Sequence, residues 1–134
     1  MAPSTIVKIV IIALVAGFFA WRYFYKKGTQ RPDPDEQVLN QLRQAGSNLV
    51  KIHKLDFFLY FQTQEIAEMV KVELMKLGFV AEVSHSAKGS DWLCQATKEM
   101  LPIHSQVTFI RNQLSEIAKR HNGIYDGWGT GIIK

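Results

Sequence analysis

Side chains able to do chemistry are few in this sequence and widely scattered. There are four histidines (His53, His85, His104, His121), one cysteine (Cys94), and one carboxylate set among aromatics and glycines, Asp126 in Ile124-Tyr125-Asp126-Gly127-Trp128-Gly129-Thr130. A zinc site needs histidines at close helical spacing or paired cysteines, and neither spacing occurs. The histidines therefore read as surface or capping residues, His53 and His85 at strand ends or turns. His121 falls in a last helical turn, where partial positive charge suits the helix dipole. Cys94 lies in the strand-like run Trp92-Leu93-Cys94-Gln95-Ala96 and reads as a small buried hydrophobe; as the only cysteine it allows no intramolecular disulfide. Asp126 could act as a general acid or base only with a partner in hydrogen-bond reach, whereas Asp-Gly is a common bend whose carboxylate bonds nearby backbone. Gly127-x-Gly129-x-Gly131 is no dinucleotide fingerprint, because no helix follows it to offer an N-terminus to phosphates. No catalytic residue, metal or cofactor is expected, and the chain reads as a non-enzyme.

The elements that must position these residues follow from periodicity. Asp33-Pro34-Asp35-Glu36 reads as a helix start, with Asp33 as N-cap, Pro34 in the first helical position and Glu36 returning a capping-box contact. Val38, Leu39, Leu42 and Ala45 form one apolar stripe, which Gly46 stops. Lys54 to Phe61 is a strand with apolar residues of both parities: Leu55, Phe57, Leu59 and Phe61 on one side, Phe58 and Tyr60 with Asp56 on the other. Thr63 caps a helix that turns Ile66, Ala67, Val70 and Leu74 inward and ends at Gly78. Strands from Phe79 to Ser84 and from Trp92 to Thr97 flank the turn-forming tract 86–91. After Pro102 a longer helix carries Val107, Ile110, Leu114 and Ile117, closed by Gly123, and Ile124 to Trp128 is a last strand interrupted at Gly127. The order β-α-β-β-α-β predicts an α+β, ferredoxin-like sandwich with one antiparallel four-stranded sheet and both crossover helices on one face. The N-terminal helix is an addition to it.

Upstream lies a different kind of segment. Ile9 to Trp21 is uninterruptedly apolar, and a helix from Thr5 to Tyr25 would span about 31 Å, the thickness of a bilayer core. Lys8 and Arg22 sit near its ends, Trp21, Tyr23 and Tyr25 form an interfacial belt, and Lys26 and Lys27 follow directly, which predicts a cytoplasmic C-terminal domain. A cleaved signal peptide is the alternative; the weakly charged start, the lack of an A-x-A site after the apolar core and the basic cluster beyond it disfavour this. The expected layout is a single-pass anchor at 1–27, marked by Ile9, Trp21, Arg22, Lys26 and Lys27, then a linker at 28–33 and a domain at 34–134. The formal net charge of +4 belongs to the anchor: five of the 16 Lys and Arg and none of the 12 Asp and Glu fall in residues 1–32, leaving the remainder one charge negative. A near-neutral domain lacks the footprint of a protein that tracks a phosphate backbone. The third strand also lacks the basic-Gly-aromatic-x-aromatic run with which ferredoxin-like domains stack RNA bases. Direct nucleic-acid binding is not expected.

The heptapeptide Ile124 to Thr130 resembles the C-terminal signature of a bacterial family, the B-type regulators of ribonuclease E activity (RraB). The run His53-Lys54-Leu55-Asp56-Phe57-Phe58-Leu59-Tyr60-Phe61, the Leu77-Gly78-Phe79 helix exit and the helical pattern before Asn122-Gly123 fall in the family's order, so the likeness covers roughly residues 40–130. The resemblance implies a variant of the ferredoxin-like fold and a non-catalytic inhibitor whose protein partner is ribonuclease E or its scaffold. For a tethered member it also implies the bacterial inner membrane. An adaptor of an unrelated inner-membrane complex and a sheet-face RNA binder are the alternatives. Phe58 and Tyr60, with Tyr125, Asp126 and Trp128 of the signature, form the candidate protein-binding surface, since exposed aromatics commonly anchor partners. Alternatively, the Val38-Leu39-Leu42 helix folds over these aromatics and hides them.

Overall fold

The strongest alternation in the sequence becomes the centre of the core. In the computed structural model, which describes residues 32–87 and 89–134, strand β1 (His53–Phe61) buries Leu55, Phe57, Leu59 and Phe61 completely on one side. Each such side chain contributes about 1.5–3 kcal/mol relative to exposure. Strand β3 (Trp92–Met100) pairs antiparallel with the whole of β1, from His53 opposite Met100 to Phe61 opposite Trp92. This full-length pairing carries β3 three residues beyond the expected end at Thr97. Strand β2 (Val80–His85) flanks β3, and β4 (Ile124–Gly129) flanks β1, giving the order β2-β3-β1-β4 with every pair antiparallel. β2 begins and ends one residue later than periodicity suggests. With helices α2 (Gln64–Lys76) and α3 (His104–Arg120) as crossovers, this is the split βαβ arrangement.

The helices form for local reasons that the sequence declares. The Thr63 hydroxyl accepts the Ile66 N–H at 3.2 Å and starts α2. Its inward face supplies Ala67, Val70 and Leu74 to a core shared with Val107, Ile110, Leu114 and Ile117 of α3. At the exit of α3 the left-handed conformation falls on Asn122, at φ 54°, not on Gly123. Gly123 is required by space: a Cβ there would sit 2.4 Å from the Phe61 ring and 2.6 Å from the Tyr60 carbonyl oxygen.

Helix α1 (Pro34–Gln44) is capped by Asp33, whose carboxylate accepts the backbone N–H groups of Asp35 at 2.9 Å and Glu36 at 3.3 Å. Glu36 does not complete a capping box; its carboxylate pairs with Arg43 at 2.9 Å, two turns along the helix. Val38, Leu39 and Leu42 are buried, while Ala45, at the C-cap, is exposed. The stripe packs beside α3 on the helix side of the sheet, so α1 does not fold over Phe58 and Tyr60. The chain's last residues return to the loop after α1: the Ile133 N–H donates to Ser47 Oγ at 3.0 Å, and the Asn48 N–H to the Ile133 carbonyl.

Candidate functional site

The signature strand β4 is built around a bulge. Gly127 lies opposite Phe58 but Tyr125 lies opposite Leu59, which leaves Asp126 as an extra residue. In an unbroken strand Tyr125 and Trp128, three apart, would point to opposite faces. The bulge turns both to the helix side, where Trp128 is 2% exposed and its ring lies 6.4 Å from that of Phe57. Gly127 holds φ +116°, with nothing within 4 Å of where a Cβ would be. Backbone conformation, not crowding, requires glycine there.

Helix α1 places Asp35 beneath that indole. The carboxylate is 1% exposed and closed on all sides: Oδ1 accepts the Trp128 indole N–H at 3.2 Å, and Oδ2 accepts the Thr108 hydroxyl at 2.9 Å and Arg111 Nε at 2.7 Å. A buried carboxylate is tolerable only when paired and hydrogen-bonded in this way. The Tyr125 phenol is buried close by, without a hydrogen-bond partner among the described residues. Desolvation raises its pKa far above the ordinary range, helped by the charges of Asp35 and Asp126 and offset in part by Arg111. The types are those of an active site, but no substrate can reach Asp35, and the cluster serves to bind α1, α3 and β4 together. Asp35, Thr108 and Arg111 escape a sequence reading. Asp35 looks like an ordinary first-turn acid, and Thr108 and Arg111 merely flank the α3 stripe.

The open face of the sheet is organised in rows set by strand register. One row runs Val80, Thr97, Asp56, Gly129; the next Glu82, Gln95, Phe58, Gly127; a third Ser84, Leu93, Tyr60, Ile124; and Glu99 lies opposite Lys54. The Thr97 hydroxyl donates to Asp56 at 2.7 Å. Phe58 is only 8% exposed, and Tyr60 is half-buried. Burial raises the Tyr60 pKa, and the nearby Asp126 carboxylate raises it further. The expected five-residue surface is therefore split, with Phe58 and Tyr60 on the open face, Asp126 beside Tyr60, and Tyr125 and Trp128 on the helix side.

The profile of one family, Regulator of ribonuclease activity B, matches residues 33–130. The chain belongs to the RraB family. No curated protein matches it. The RraB span opens at the α1 N-cap and closes just after β4, so it contains both ends of the Asp35–Trp128 hydrogen bond and the whole of α1.

The remaining chemical side chains are engaged separately. His53 is wholly buried, not superficial: its Nδ1–H donates to the Lys51 carbonyl at 2.8 Å, and its Nε2 accepts from the Ser47 hydroxyl at 2.7 Å. The Lys51 carbonyl can only accept, which fixes that tautomer. His104 Nε2 meets Asp33 Oδ2 at 2.6 Å. His121 is the C-cap of α3, its ring near-perpendicular to that of Phe61 and its Nε2 3.5 Å from Glu73. His85 is exposed, 4.7 Å from the Trp92 ring. Burial pushes the Cys94 thiol up to about 11, with Glu68 adding to the shift and Lys71 opposing it. Among the described residues no helix is long and apolar enough to cross a membrane. Ile9, Trp21, Arg22, Lys26 and Lys27 lie outside them.

Proposed function

We propose that this chain is a non-catalytic, membrane-tethered regulator of RNA degradation that acts by binding ribonuclease E or its scaffold. Residues 1–27 form the single-pass anchor, 28–33 the linker and 34–134 the cytoplasmic domain at a bacterial inner membrane. The observation that carries the reading is membership of the RraB family across the whole folded domain. The chemistry of the domain supports it. The buried Asp35 carboxylate has both oxygens engaged by Thr108, Arg111 and Trp128 in holding the fold. The apolar run from Ile9 to Trp21 with its basic flank supports the tether.

The test is capture of the tagged full-length chain from cross-linked native membranes, paired with a cleavage assay of ribonuclease E on an RNA oligonucleotide. Recovery of ribonuclease E together with slowed cleavage is the expected result. Recovery of an unrelated membrane complex without any effect on cleavage would replace the regulator by an adaptor built on the same fold.

A further inference from the structure

We propose that the open face of the sheet is the docking surface of this RraB domain, and that its occupant is a Lys/Arg-rich protein segment. The inference rests on the regulator reading for the existence of a protein partner, and adds where that partner binds and by what chemistry.

The domain's near-zero charge conceals an uneven distribution. Strand register brings Asp56, Glu82 and Glu99 to one surface, and among the described residues of these rows Lys54 is the one cation. On the helix side several charges meet each other: Arg43 with Glu36, Arg111 with Asp35, Arg120 with Glu73. Phosphates approaching the open face would meet three carboxylates and be repelled. Guanidinium and ammonium groups would be drawn to it, and complementary charge sets both encounter rate and register.

The face is also shaped for long cationic side chains. Val80 is 67% exposed at one corner and Ile124 63% exposed at the opposite one, with Leu93 and Tyr60 half-buried between them. Aliphatic stems of arginine and lysine can lie on such surface while their heads reach the carboxylates, and Tyr60 offers a ring to a guanidinium. The hydrogen bond from Thr97 holds Asp56 in place before any partner arrives. Preorganisation of this kind lowers the ordering cost of binding.

The test uses the full-length chain in uncharged lipid nanodiscs. The probes are a fluorescent peptide of about twelve residues, arginine alternating with serine, and a single-stranded RNA of the same length. Glu82→Lys/Glu99→Lys alters the open face, and Glu65→Lys/Glu68→Lys makes the same change of net charge on the exposed side of α2. The face variant should weaken peptide binding about tenfold or more and the α2 variant about twofold at most, with RNA bound far more weakly than peptide throughout. Equal loss in both variants, absence of peptide binding, or RNA bound as tightly as peptide would each overturn the assignment. Ribonuclease E captured as well by the Glu82→Lys/Glu99→Lys chain as by the unsubstituted one would also overturn it while leaving the regulator reading intact. If the unsubstituted chain fails to capture ribonuclease E but the peptide contrast holds, the regulator reading falls and the docking face stands.

Discussion

Carboxylates on the two sides of this sheet do opposite work. On the helix side, Asp35 is sealed from water with three donors on its two oxygens, so its charge is spent inside the fold. On the open side, Glu82 and Glu99 stand in solvent on strands whose other parity is core, so their charge remains available to whatever approaches. The same functional group is structural where donors saturate it and stays solvated where they do not.

Substitution should separate the sides most sharply at Asp35. Asp35→Ala leaves Arg111 and the Trp128 N–H without their acceptor, and should cost about 3–5 kcal/mol, whereas Glu82→Gln or Glu99→Gln should stay within about 0.5 kcal/mol. Urea denaturation followed by tryptophan fluorescence would read both, and equal effects would end the contrast. Trp128→Phe keeps an aromatic ring but removes one charge-assisted hydrogen bond, for an expected loss of about 1.5–3 kcal/mol in the same assay. Gly127→Ala adds no clash yet forces an L-residue to a positive φ, at about 1–2 kcal/mol. If this substitution were neutral, the bulge would not be what turns Trp128 inward.

Two pH effects are smaller. Burial disfavours the Cys94 thiolate in the folded state only, so that contribution to stability is intact below pH 9.0 and is lost as pH rises toward about 11. A thiol reagent at neutral pH should accordingly label the denatured chain much faster than the native one. Asp33 behaves in the opposite sense. Desolvation raises its pKa, but the His104 hydrogen bond, the N–H groups of Glu36 and Asp35 and the His104 charge together outweigh that and lower it. The contribution is present above the ordinary carboxylate value of 3.8 and lost as pH falls through the lowered one. Because the pair is well exposed, the difference from Asp33→Asn should remain under about 1 kcal/mol and vanish in acid.

Much of the scaffold is legible in the sequence because its signals are local. Alternation in Leu55-Phe57-Leu59-Phe61, the Thr63 cap and the stripes of α2 and α3 each need only a short window of residues. The direction of Trp128 is not legible, since one extra residue in β4 reverses the parity that a regular strand would give. Asp35 is hidden for a different reason: its partners are 73, 76 and 93 residues away, and nothing beside it in the sequence distinguishes it from a solvated first-turn acid. Ser47 and Lys51 bury His53 through a loop with no periodicity to read. Net charge misleads in the same way, because a sum over the chain carries no information about which face holds each term.

The fastening of α1 also has a mechanical meaning. A pull applied at Pro32 reaches a short helix held from the side by α3 and by one indole of an edge strand, and does not run along the strand ladder. Under load the chain would shed this helix first and leave the four strands paired, so the domain carries its own weak link, placed between Pro32 and the sheet.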